Sequence, residues 1–330
     1  MSTADLAAFS NNAVAFASVV YVLAFLAHVT EWALARNVPI EAVSREPVAV
    51  GAGAPVDAPA AGVREASSDA EDRALRIERF GRIGVALTVL GCLLHLAALV
   101  TRGLGADPVR VPWGNMYEFT LAGTFGVSVM YLALMRRYQL RWMGLMVTGF
   151  LVVILMLDVL VLYVPAGPLV PALHSYWLVI HVLAAVTASG AFAVGALASL
   201  LFLVKNRALT RGRMRPNGYL ARLPELSVLD RVSYRVHAFG FPIWTFAALV
   251  AGPIWAEYAW GSYWNWDPKE VWAFITWVIY AAYLHARATA GWKGKLAAAI
   301  ALVGFASLLF NFVGINFFFG SGSMHSYAGK

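Results

Sequence analysis

The chain has 330 residues, of which 60% are hydrophobic and 13% charged, and a mean hydropathy of +0.68. These values exclude a soluble globular domain and fit an all-α, polytopic membrane protein. A net charge of +7 would suggest nucleic acid in a soluble protein; here it reads as basic cytoplasmic loops, and nucleic acid is excluded as a partner.

Hydropathy predicts eight spans, each near the ~20 residues that cross a bilayer: 12–34, 81–101, 115–135, 142–163, 175–204, 236–258, 268–289 and 296–319. No cleavable signal is expected, because Met1–Ser10 lacks a basic region and the first apolar run ends at Trp32 and Arg36 without a small-residue site. Residues 1–36 form the first transmembrane unit. Residues 37–79, rich in Ala, Pro, Val, Gly and acids, read as a disordered cytoplasmic linker, with a short charged helical lead-in from Glu71 to Arg82. Residues 80–330 form the main membrane domain. Cys92, the one cysteine, lies in an apolar run; it reads as a small buried hydrophobe and leaves no disulfide or CxxC pair.

Orientation follows from the basic residues. With the amino terminus outside, 21 of the 25 Lys and Arg fall on the inner side, so both termini are expected outside. The segment Lys205–Arg235 reads as a basic surface helix on the inner leaflet. The first outer loop ends Pro112-Trp-Gly-Asn-Met-Tyr-Glu118. A carboxylate just inside a span is costly unless capped or paired, and Glu118 fits a first-turn acid complementing the helix dipole. Asp158, near the outer end of the fourth span, is expected to be partnered or to face water.

The richest stretch is Trp260-Gly-Ser-Tyr-Trp-Asn-Trp-Asp-Pro-Lys-Glu270. With Trp255 and Trp272, five tryptophans fall within eighteen positions. Indoles crowd this way at a membrane–water boundary, where the ring is buried and the N–H stays wet. Asp267, Pro268 and Glu270 fit an N-cap, an N1 proline and an N3 acid, so a helix is expected to begin at Pro268. An extended chain before it would put Trp264 and Trp266 on one side, giving an aromatic shelf at the mouth of a span.

Seven histidines are present, and within a membrane helix an imidazole is a functional candidate. His181 is about six residues inside span five, roughly 9 Å deep. His325 follows Gly320-Ser-Gly-Ser323 in the outer tail, so the two can meet across the shelf. His285, roughly 26 Å along the helix from Pro268, falls near the inner face. A hard cation would want carboxylates and a structural zinc would want thiolates or more histidines. Two imidazoles beside an aromatic wall suit a porphyrin. His28, near Glu31, stays open; His95, His174 and His237 read as structural.

Trp260-Gly-x-x-Trp264-x-Trp266-Asp267-Pro-Lys-Glu-x-Trp272 resembles the tryptophan-rich WWD signature of haem-handling membrane proteins. Ser175-Tyr-Trp177-Leu-x-Ile-His181, Tyr283-Leu-His285-x-Arg287, His325-Ser-Tyr and Pro112-x-x-Asn115-x-Tyr117-Glu118 extend the resemblance to the CcsA/ResC branch of cytochrome c assembly (CcsB in actinobacteria), over about 110–327. His174 departs from the Gln expected before Ser-Tyr-Trp. The resemblance implies that His181 and His325 are outer axial ligands of haem b. It implies that Trp260, Trp264, Trp266, Asp267 and Trp272 form the haem surface, and that His285 is an intramembrane ligand whose mate comes from a ResB/Ccs1-type partner. It further implies a haem-handling subunit of a cytochrome c synthase (haem lyase) complex in the bacterial plasma membrane, serving the CxxCH motif of apocytochrome c. Lacking a thiol pair, the chain needs a separate thiol-reductant protein. Two alternatives are a haem exporter or chaperone without covalent attachment, and a b-type electron-transfer protein using His28 and His285. Arg110, Lys269 and the tryptophan N–H groups remain open as propionate partners.

Overall fold

The computed structural model describes residues 2–36, 61–167, 173–319 and 322–325, and the side chains of all of these except 61–70. Among them there is no strand. Eight long helices run in chain order: α1 (Thr3–Ala35), α2 (Ala61–Leu104), α3 (Met116–Arg137), α4 (Leu140–Leu162), α5 (Tyr176–Thr210), α6 (Leu226–Trp260), α7 (Pro268–Thr289) and α8 (Lys295–Phe318). Seven are long and apolar enough to cross a membrane. The exception is α7, whose 22 residues suffice in length but whose Lys269, Glu270, His285 and Arg287 lower its hydropathy. A multi-pass membrane protein is the result.

Local chemistry sets the helix starts. Asn115 caps α3 by accepting from the Glu118 N–H at 2.9 Å, and Ser175 caps α5 by accepting from Trp177 N–H at 3.2 Å. At α7 the expected capping box is present, with Asp267 and Glu270 each bonding the other's backbone.

Three expectations change. Helix α2 begins at Ala61, ten residues before the expected lead-in, because 63–80 holds no Gly or Pro and is rich in Ala, Glu and Arg. The remainder of the expected linker, 37–60, lies outside the described residues. Lys205–Arg235 is not one surface helix. Gly212 takes a positive φ of 60°, Pro216 and Pro224 interrupt the ladder, and only the single turn Tyr219–Arg222 stands between α5 and α6. Asp158 is neither partnered nor wet: it is fully buried and neither carboxylate oxygen has a hydrogen bond among the described residues. It opens a π-helical segment, Asp158–Leu162, and lies near enough to Arg102 to feel its charge.

Helices join through small residues and short polar links, as hydrocarbon surroundings favour. Tyr21 Oη of α1 donates to Ser128 Oγ of α3 at 2.9 Å. Ser199 and Ser233 link α5 to α6 at 2.7 Å, and Thr276 and Ser307 link α7 to α8 at 2.8 Å. A Cβ at Gly190 would lie 2.6 Å from the Gly126 carbonyl oxygen, so α5 and α3 touch backbone to backbone there. The other faces carry exposed Phe16, Leu93, Leu160 and Val303, an apolar belt suited to lipid. At the basic end of the bundle, Arg287 of α7 grips Asp230 of α6 bidentately at 2.7 and 3.0 Å.

Candidate functional site: a paired-imidazole cavity

At the tryptophan-rich end, α3, α5, α6, α7 and α8 enclose a cavity of about 1050 Å³, counting the space at its mouth. Trp113, Phe119, Leu178, Trp255, Trp264 and Phe312 are among its walls, and both His181 and His325 line it. Two of the three π-helical segments shape it: Ala247–Ala251 in α6 and Phe310–Gly314 in α8. Pro253, having no N–H, interrupts the ladder just after the first of these. The Ala247 carbonyl takes the Gly252 N–H and also accepts from His181 Nδ1 at 2.9 Å. His181 then stacks on Trp255, centroids 5.9 Å apart and planes 11° apart.

The close approach of His181 needs glycine at 252. A Cβ there would stand 3.2 Å from both Cε1 and Nδ1 of the ring. Gly252→Val is therefore expected to push His181 off Ala247 and cost about 1–3 kcal/mol, read as a lower thermal midpoint in detergent. An unchanged midpoint would mean the ring has room to step aside.

His325 arrives on the tail after α8. Its Nδ1 donates to Asp267 Oδ1 at 3.0 Å, and its ring meets Trp255 at 5.3 Å and Trp260 at 4.6 Å, both edge-on. In both histidines Nδ1 is engaged, which leaves Nε2 as the nitrogen without a hydrogen bond among the described residues. Asp267 does more than cap α7. It accepts from Lys269 N–H at 2.9 Å, Ser323 Oγ at 2.9 Å and Met324 N–H at 2.6 Å, besides His325. Burial pushes its carboxyl up, but the hydrogen bonds from His325 and from the Lys269 and Met324 backbone N–H groups outweigh that and hold it at about 2, ionised at any working pH.

The tryptophans divide. Trp264 lines the cavity, and Trp260 backs His325. Trp272 packs on Phe310 at 4.4 Å behind the wall. Trp266 overturns the expected single-sided arrangement: its backbone is left-handed, φ 56°, so the chain is not extended there. Its ring stands perpendicular to Trp264 and is 76% exposed, off the cavity. Trp255, only 2% exposed, is the central wall that sequence reasoning counted but left out of the site. Its ring packs edge-on against Trp260 at 4.8 Å, five residues further along the same helix.

Other candidates fall elsewhere. His285 is exposed on α7, well along from the cavity. His28 is buried with its ring wedged between α2 and α4: Cβ atoms at Gly84 and Gly144 would come within 2.6 and 2.5 Å of it. Helix α1 packs on α2 and α4 while α7 packs on α6 and α8, so His28 and His285 do not face one another. His95 bonds the Leu121 carbonyl and His237 that of Ser233, both fully buried, and His174 is exposed. Arg110 is engaged bidentately by Glu118 at 2.6 and 3.0 Å, whereas Lys269 lines the cavity and donates to the His325 carbonyl at 3.0 Å. Glu118 is no mere dipole acid, since its buried carboxylate also binds Arg102 Nε at 3.0 Å and Gly114 N–H at 2.8 Å.

Fold and site together define a multi-pass helical membrane protein with a tryptophan-walled cavity that offers two pre-oriented imidazoles at one end. Residues 113–321 match the family described as Cytochrome C assembly protein. "Cytochrome c biogenesis protein CcsA" of Guillardia theta is 35% identical over 268 residues, covering 76% of this chain and 87% of the relative. That of Porphyra purpurea is 35% identical over 296 residues, with 76% and 89% covered. The chain belongs to this cytochrome c assembly family, and its role lies in cytochrome c maturation. Among solved structures, "Cytochrome c Heme Lyase CcmF" shares the fold, with a TM-score of 0.58 at 18% identity over 94% of this chain. The chain spans about half of that structure, 47%.

Proposed function

We propose that this protein holds haem b at its tryptophan-rich end and presents it for thioether attachment to the CxxCH motif of apocytochrome c. The observation that carries this reading is the pairing of His181 and His325 on one aromatic cavity, each with Nδ1–H donated to an oxygen and Nε2 free. A metal-binding imidazole needs that tautomer and that kind of backing. Two such rings suit the axial positions of a porphyrin iron. Trp255 and Trp264 offer apolar faces, and Lys269 is the wall cation available to a propionate.

In the attachment, each substrate S–H adds across a vinyl C=C. A C–S and a C–H bond form, the S–H bond and the π bond break, and no oxidant is consumed. Haem is the cargo, and this chain's contribution is to hold and orient it and to keep water off its faces. The thiols must arrive reduced. Cys92, the one cysteine and buried, does not supply that, which implies a thiol-reductant protein. The charge asymmetry favours the cavity and both termini on the outer face of a bacterial plasma membrane. His285, exposed on α7, suits an entry ligand completed by a ResB/Ccs1-type partner.

The test is the reduced absorption spectrum of detergent-purified protein, wild type against His181→Ala/His325→Ala. Low-spin haem b lost or turned high-spin in the double variant, and restored by imidazole, is the expected result. Unchanged haem would move the ligands elsewhere. Wild type without haem, co-expressed with the partner, would sink the reading and leave the cavity wall as a docking surface. Haem loading without any covalent product, with partner and reduced apocytochrome supplied, would favour an exporter or chaperone.

A further inference from the structure

The two imidazoles are seated in unequal ways. His181 projects from a 35-residue helix packed among α3, α6 and α8, and its Nδ1–H meets a neutral backbone carbonyl. Displacing that ring means breaking its bond to the Ala247 carbonyl and its stacking on Trp255 within a packed helix interface. His325 belongs to a tail beyond α8 and lies outside any helix among the described residues. What seats that tail is chiefly one side chain. Both oxygens of Asp267 are used: Oδ1 takes Ser323 Oγ and His325 Nδ1, and Oδ2 takes the Met324 N–H. Lys269 Nζ adds a bond to the His325 carbonyl, and His325 N–H bonds Ser323 Oγ at 3.2 Å. Asp267 itself is anchored as the N-cap of α7 and is only 3% exposed.

We infer that Asp267 is a positioning residue that latches the tail, and that His325 is the exchangeable ligand, given up to the incoming histidine of the substrate while His181 stays. This rests on the haem reading above. The carboxylate fixes the His325 tautomer and strengthens the ring as a donor, so the latched state keeps both ligands. Release then breaks a handful of hydrogen bonds at one residue and leaves the helical core intact. A site whose ligands both sat on helices could bind haem as firmly but would have no inexpensive way to surrender it.

Asp267→Asn is the informative variant, because Asn caps a helix as well as Asp does while removing the charge. Three measurements on the full-length protein go together. Hydrogen exchange at the Met324 amide, followed without haem, is expected to lose protection in the variant while α7 keeps its own. In the ferric haem-loaded protein, cyanide is expected to displace a ligand about 10- to 100-fold faster than in wild type, and the reduction potential is expected to rise. His325→Ala supplied with imidazole should exchange at the same rate whether position 267 is Asp or Asn, since the latched ring is gone. Wild-type exchange rates and potential in Asp267→Asn would overturn the inference and leave Asp267 a cap. Loss of α7 protection in the same variant would overturn it too, by making the effect structural. Absence of haem from wild type would instead strike the haem reading, with the Met324 result still standing on its own.

Discussion

Trp255→Ala is expected to cost about 3–5 kcal/mol and to empty the cavity of its ligands. The indole is 2% exposed, stacked on His181 at 5.9 Å and met edge-on by His325 at 5.3 Å and Trp260 at 4.8 Å. One side chain thus sets the spacing of both imidazoles, and a void in its place lets each ring tilt. Ring planes and Nε2 directions matter to within tenths of an ångström for axial ligation, so haem content should fall along with stability. Trp255→Phe keeps an aromatic face and should retain haem at a lower thermal midpoint. Haem per protein and the midpoint are the measurements. A Trp255→Ala protein with wild-type values of both would show that the imidazoles are held by Ala247 and Asp267 alone.

Glu118→Ala is expected to destabilise the protein by about 3–5 kcal/mol, the usual effect of removing one partner from a buried ion pair. Arg102 and Arg110 are 1% and 7% exposed, and both rest on this carboxylate. With it gone, two cations lie buried at the end of a span without an anion, and the Gly114 N–H loses its acceptor. Trp113, Asn115, Met116 and Phe119, all on the cavity wall, flank this position. Glu118→Gln, which keeps hydrogen-bond acceptance but not charge, should fall between. Midpoints in detergent for the series Glu, Gln, Ala decide it, and equal midpoints would mean that water reaches and solvates both guanidinium groups. Asp158 feels the charge of Arg102 but makes no hydrogen bond to either arginine among the described residues.

Much of this architecture is a one-dimensional property. The run of long helices, the helix start at Pro268 and the cap at Asp267 follow from hydropathy and from side chains acting within three or four residues of themselves, although α7 falls short of the apolarity of the other seven. So does the placement of His181 near one end of its helix and His285 near the other end of α7. The early start of α2 is legible too, in the Ala, Glu and Arg content of residues 63–80.

What no local rule contains is how separate helices converge. That Trp255 rather than Trp266 walls the cavity depends on a left-handed residue at 266, which turns that ring outward, and on α6 bringing Trp255 against α5. That Glu118 joins two arginines 16 and 8 positions away, and that Asp267 reaches 58 positions along the chain to His325, are consequences of packing. The same is true of His28, whose wedging between Gly84 and Gly144 removes it from consideration as a ligand. The sequence by itself determined a helical membrane protein with most of its tryptophans and two of its histidines, His181 and His325, gathered toward one end. Only the tertiary structure decided which of them meet, because hydropathy and capping act along a helix while a site is made by the side chains of several helices closing on one space.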